Sequence, residues 1–115
     1  MLTFQVTNER DRQQLEHVKG PIEFGRGLKR NDISRCVIQD AYVSKDHVRM
    51  EELPTGQVRV ENLSQKQPVL MLGNDTILPG QRRDLLPPFR ITIGDTGIDF
   101  SPAPMITSLP SGRSP

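Results

Sequence analysis

Tryptophan is absent from this 115-residue sequence, tyrosine occurs once (Tyr42), and aromatic residues make up only 4%. Such a chain lacks the stacking platforms that hold single-stranded nucleic acid. It also lacks an excess of charge of either sign, since 15 basic residues face 14 acidic ones. That balance excludes the broad basic field of a nucleic-acid or membrane-surface binder. Cysteine occurs once, as Cys36, so no intrachain disulfide can form and a reducing, cytoplasmic setting is expected. No apolar run is long enough for a signal peptide or a membrane span. Helical periodicity is missing as well. The best helical candidate, residues 9–17, has only Leu15 as an apolar residue and reads as loop followed by strand.

What is present is punctuation. Ten prolines and nine glycines divide the chain into short segments rich in β-branched residues. Leu2-Thr3-Phe4-Gln5-Val6 alternates apolar and polar, as a half-buried strand does. Gln14 to Lys19 reads as a second strand before the Gly20-Pro21 turn, and Ile22-Glu23-Phe24 alternates again into Gly25. Ser34 to Gln39 carries the apolar cluster Cys36-Val37-Ile38. Val48 and Met50 lead to a Pro54-Thr55-Gly56 turn and return through Val58 and Val60, an antiparallel hairpin with inward apolar side chains. Val69 to Leu72, Ile77-Leu78, Arg90 to Gly94 and Gly97 to Phe100 complete the series. Many short strands at intervals of roughly 8–12 residues indicate an all-β sandwich or barrel.

The length suits one domain. Residues 1–100 carry the strand pattern. From Ser101 the composition shifts, with four prolines and four serines in residues 101–115, which read as a Pro/Ser-rich linker or disordered tail leading to further chain.

Three segments carry candidate chemistry. Gly25-Arg26 ends a strand and opens the loop Gly27-Leu28-Lys29-Arg30-Asn31-Asp32. An arginine on such a corner can fork onto a phosphate or carboxylate. Taken alone, it is more often a solvated turn residue. Val43-Ser44-Lys45-Asp46-His47-Val48 offers a hydroxyl donor in Ser44 and a point charge in Lys45. Its His47, three residues after Ser44, can bridge backbone groups and fix the loop. The Ser-x-x-His spacing also admits a hydrolase reading, but nothing resembles a nucleophile elbow. The third segment, Val60-Glu61-Asn62-Leu63-Ser64-Gln65-Lys66-Gln67-Pro68-Val69, is a polar connection between strands. Cys36, His17 and His47 lack metal-ligand spacing, and no glycine-rich nucleotide loop is present, so no metal, cofactor or enzymatic activity is expected.

In order, these elements are Gly-Arg, Asp-Ile, Val-Ser-Lys-x-His, Val-x-Asn-Leu-Ser, Ile-x-Ile-Gly and Ile-x-Phe. The sequence thereby resembles the forkhead-associated (FHA) domain over roughly residues 2–100. The resemblance implies a sandwich of two twisted, mostly antiparallel sheets with about eleven short strands and ligand loops at one end. It implies a phosphothreonine-peptide-binding module of a signalling protein. Arg26 and Ser44 match the phosphate-contacting residues, and Lys45 and Lys66 match positions that add phosphate contacts. Gly25, His47 and Asn62 match loop-supporting positions.

The family's Asn-Gly-Thr run falls on Gln67-Pro68-Val69, a departure at all three positions. Gln67 retains an amide for the peptide backbone, one methylene further out. Pro68 removes an N–H and forbids a positive φ, so this loop must take another shape. The alternative implied by that departure is a phosphate-independent docking or dimerisation module on the same fold. Its partners would include downstream domains of the same chain. Lys29, Arg30 and Arg35 are read either as an extension of the basic patch or as solvated loop charges. Thr107, in the tail, is an accessible phosphorylation candidate.

Overall fold

The computed structural model describes residues 1–28 and 32–102. Among these residues the regular structure is extended, apart from a single 3-10 turn at Leu72–Asn74. The strands are β1 (Leu2–Thr7), β2 (Arg12–His17), β3 (Ile22–Gly25), β4 (Ser34–Val37), β5 (Val48–Glu52), β6 (Val58–Asn62), β7 (Val69–Leu70), β8 (Thr76–Ile77), β9 (Arg82–Leu85), β10 (Phe89–Ile93) and β11 (Thr96–Pro102). They form a six-stranded sheet in the order β2-β1-β11-β10-β7-β8 and a five-stranded sheet in the order β4-β3-β5-β6-β9. The β3–β4 pair is parallel, and the other described pairs are antiparallel. The all-β sandwich expected from the sequence is the fold observed.

Alternation decides which face of each strand meets the core. Leu2, Phe4 and Val6 of β1 are buried, and so are Val48, Met50, Val58 and Val60 of the β5–β6 hairpin. That hairpin turns through residues 53–57, where Gly56 adopts φ +89, a conformation costly for other residues. All four phenylalanines form one chain of ring contacts that stitches the two sheets together. Phe24 of β3 meets Phe4 of β1 at 5.1 Å, Phe4 meets Phe100 at 6.2 Å, and Phe100 meets Phe89 at 6.2 Å. Val, Ile, Leu and Met side chains fill the space around them. Each fully buried side chain of this kind contributes about 1.5–3 kcal/mol.

Two features depart from simple alternation. Every residue of β3 is buried, Glu23 included at 9% exposure. Glu23 is covered because Arg35 and Arg49 fold over it from the neighbouring strands. These residues belong to a row of alternating charge across all five strands of the sheet: Arg35, Glu23, Arg49, Glu61 and Arg82. A second row, Glu51, Arg59 and Asp84, runs alongside it. The other departure is β9, whose sequence Arg-Arg-Asp-Leu has no apolar alternation and carries no strand signal. It is a strand because its backbone completes the ladder of β6, with Arg59 pairing Asp84 at 2.9 Å. At the C-terminal side, β11 continues to Pro102 opposite Leu2. No helix among the described residues is long and apolar enough to cross a membrane.

Candidate functional site

Three connections converge at one end of the sandwich: the start of the β3–β4 loop, the β4–β5 loop and the β6–β7 loop. Backbone hydrogen bonds join the first two. Arg26 N donates to Ser44 O at 3.0 Å and Gly27 N to Lys45 O at 3.0 Å. Such close approach is sterically possible only because residue 25 is glycine. A Cβ there would lie 2.1 Å from Lys45 O. Arg26 is exposed, and its Nε donates to Val43 O at 3.0 Å. Among the described residues its terminal nitrogens have no hydrogen-bond partner. Arg26 and Ser44 are therefore held side by side through their main chains, with one guanidinium edge available.

His47 is wholly buried and joins the second connection to the third. Its Nδ1 accepts the Ser44 backbone N–H at 3.1 Å. The proton therefore sits on Nε2, which donates to Pro68 O at 3.2 Å. Burial pushes its pKa below the ordinary histidine value, opposed by the Pro68 hydrogen bond and the charge of Asp40. The ring thus faces main-chain groups on both sides. Its bond to residue 44 is to the backbone rather than the hydroxyl, so the pair lacks the base-to-nucleophile contact of a hydrolase.

The third connection is shaped from inside. Asn62, 1% exposed, donates through Nδ2 to Gln67 O and to Ile77 O, both at 2.8 Å. Its Oδ1 accepts Ser64 N at 2.9 Å. The Ser64 hydroxyl oxygen lies 2.7 Å from Asn62 Oδ1 and 2.6 Å from Gln67 O, donates to one of them, and accepts Gln67 N–H at 3.1 Å. This replaces the glycine-permitted turn that Pro68 forbids, since positive φ occurs at none of residues 62–69. Gln67 is anchored by its backbone, and its residue remains exposed.

Between the connections lies an open cleft of about 410 Å³. Ser44, Lys45 and Asp46 form one wall, and Leu63, Ser64, Gln65, Lys66 and Gln67 form the other. Lys45 and Lys66 are exposed, whereas Ser44 is half-buried with no hydrogen-bond partner for its hydroxyl among the described residues. Of the residues singled out from sequence, Ser44, Lys45, Lys66 and Gln67 line this cleft. Arg26 adjoins it through Ser44, and Gly25, His47 and Asn62 lie behind it.

Arg35 is not a solvated loop charge, nor does it extend a basic patch. Its side chain is 1% exposed and its guanidinium is consumed by internal contacts. Lys29, Arg30 and Thr107 lie outside the described residues. Sequence reasoning also passed over Asp40, which bonds Tyr42 N at 2.9 Å, Asp95 N at 2.8 Å and Thr96 Oγ1 at 2.7 Å. Burial pushes this carboxyl up, but those hydrogen bonds outweigh it and leave it below the usual carboxylate value. Ser64 carried a readable signal: an asparagine two residues before a serine is a common side-chain-to-backbone turn.

No family model matches the sequence, and no curated protein matches it. Solved structures do match its fold. The FHA domain of the CT664 protein from Chlamydia trachomatis superposes with a TM-score of 0.68 at 16% identity, covering 88% of this chain and 96% of that one. The FHA domain of a hypothetical protein from Arabidopsis thaliana gives 0.63 at 23% identity, covering 96% and 91%. The MEK1 FHA domain, solved in complex with a HOP1 phosphothreonine peptide, gives 0.62 at 14% identity, covering 85% and 94%. The two sheets and their eleven strands are those of the forkhead-associated fold.

Proposed function

We propose that this domain binds phosphothreonine peptides on partner proteins, as a phosphorylation-dependent interaction module rather than an enzyme. The observation that carries the reading is the main-chain bond between Arg26 N and Ser44 O, which joins, among the described residues, the residue with an unpaired guanidinium edge to the residue whose hydroxyl is unpaired beside the cleft. A phosphothreonine brings about −1.5 to −2 charge and three acceptor oxygens. Arg26 supplies a forked contact, Ser44 a neutral hydrogen bond, and Lys45 and Lys66 supply charge from opposite walls. The Gln67 amide lies along the cleft to take the peptide main chain. Charge-assisted hydrogen bonds contribute about 1.5–3 kcal/mol each, and after ordering costs a few of them correspond to micromolar affinity. Such a contact is reversible, as a cytoplasmic signalling module requires. The solved complex of an FHA domain with a phosphothreonine peptide supports the same reading by likeness of fold.

The test is a titration of the domain with an oriented phosphothreonine peptide pool, beside phosphoserine and unphosphorylated pools. Micromolar binding that needs the phosphate and prefers threonine is the expected result. Equal binding of the unphosphorylated pool would replace this reading with phosphate-independent docking.

A further inference from the structure

Arg35 contacts the segments that carry both Arg26 and Ser44. Its Nη1 donates to Gly27 O at 3.1 Å and to Lys45 O at 2.7 Å. These are the carbonyls of the residues that immediately follow Arg26 and Ser44. Its Nη2 donates to Glu23 Oε1 at 2.8 Å and to the Asp46 carboxylate. Glu23 is itself held by Arg49, whose Nη2 donates to Oε2 at 2.9 Å. The guanidinium plane is therefore pinned on one side by two carboxylates and spans two loop carbonyls on the other. Its Nε is buried with no hydrogen-bond partner among the described residues, an unmet donor that the remaining contacts must offset. The absent side chain at residue 25 is part of the same junction, because a Cβ there would come within 3.0 Å of Arg35 Nη1.

We propose that Arg35 is a positioning residue: its fork bridges the backbone beyond Arg26 to the backbone beyond Ser44 and so sets the separation of the two phosphate-contacting groups. The inference rests on the phosphopeptide reading for its consequence, but the geometry it describes exists in the free domain. Glu23 and Asp46 balance the charge of Arg35, so it contributes spacing rather than attraction for the phosphate. An ammonium at this position keeps the charge but loses the planar two-pronged reach.

The experiment compares Arg35→Lys and Arg35→Gln with Val58→Ala, which opens a cavity near the hairpin turn away from the cleft. Amide hydrogen exchange is measured in the free domain, and affinity with the phosphothreonine peptide pool. In Arg35→Lys the Arg26 and Gly27 amides are expected to exchange about tenfold faster and affinity to fall about tenfold, with Val60 and Ile91 amides still protected. Arg35→Gln shows the same pattern more strongly. Val58→Ala lowers the unfolding temperature yet leaves the Arg26 and Gly27 amides and the affinity as in the wild type. Wild-type exchange at both amides in Arg35→Lys, or the same change in Val58→Ala, overturns the proposal. If the wild-type domain fails to bind the pool, the functional reading falls, while the exchange data still decide the role of Arg35.

Discussion

His47 Nε2 donates to the Pro68 carbonyl at 3.2 Å while Nδ1 of the same ring accepts the Ser44 N–H at 3.1 Å. One neutral imidazole thus fixes the second connection against the third, and it can do so only with a single proton. Pro68 has no N–H to offer, but its carbonyl is what the ring needs. Pro68, which bars a positive φ at its position, is therefore built into the support of the cleft.

The ring makes stability depend on pH. Burial holds the His47 pKa below its ordinary value of 6.5. The unfolded chain then binds a proton more readily than the folded one, so stability is complete above 6.5 and declines as pH falls towards the lowered pKa. Urea denaturation of the free domain should give a flat midpoint above about pH 7 and a falling one as pH drops below 6.5, a loss absent in His47→Gln. A second decline belongs to Glu23 and Asp40. Burial pushes both carboxyls up, but hydrogen bonds from Arg49 and Arg35, and from Thr96, Tyr42 and Asp95, leave both lowered. That decline falls below pH 4.5.

Arg26→Ala removes one bond to Val43 O and, on the proposed reading, the forked contact to the phosphate. Loss of a charge-assisted contact of about 1.5–3 kcal/mol weakens phosphothreonine-peptide affinity at least tenfold. Circular dichroism should show the sheet unchanged, and calorimetric titration should show the affinity loss. Unchanged affinity would remove Arg26 from the site.

Gly25→Ala places a methyl group 2.1 Å from the Lys45 carbonyl oxygen. Backbone must shift to admit it, at a cost of about 1–3 kcal/mol or more. The expected outcome is a lower urea midpoint together with weakened phosphopeptide binding, because the displaced connection carries Ser44. By contrast, Gly20→Ala meets no atom within 4 Å and loses only what its φ of +82 imposes, with binding intact.

Asn62→Ala strips the third connection of its internal anchor. The carbonyls of Gln67 and Ile77 and the N–H of Ser64 each lose a partner. Each group left unpaired costs about 1–3 kcal/mol. Thermal unfolding should show a clear fall in Tm, and the Lys66 and Gln67 amide resonances should shift. Asn62→Asp keeps the acceptor for Ser64 but turns a carboxylate oxygen on the two carbonyls in a buried site, and should be no more stable than Asn62→Ala at neutral pH.

Much of this architecture was legible without coordinates. Alternation marked the β5–β6 hairpin and β1, and glycine and proline marked the turns. β9 was not legible, because Arg82 to Leu85 has no periodicity and becomes a strand only through the free edge of β6. For Arg35 the sequence offers a basic-patch extension or a solvated loop charge, and neither reading anticipates its burial. Its burial depends on Glu23 and Asp46, 12 and 11 residues away in sequence, meeting it across the strand and the loop.

The sequence by itself determined the class of fold and the order of the candidate residues, since local alternation and turn chemistry act over a few neighbours. It placed Gly25-Arg26, Ser44, His47 and Asn62 in a recognisable succession. Only the tertiary structure decided how these residues face one another: that His47 spends both ring nitrogens on backbone, that Asn62 points inward, and that Arg35 spans the carbonyls of Gly27 and Lys45. Those contacts join segments far apart in the chain. They depend on the packing of two sheets, which sets distances that no local pattern encodes.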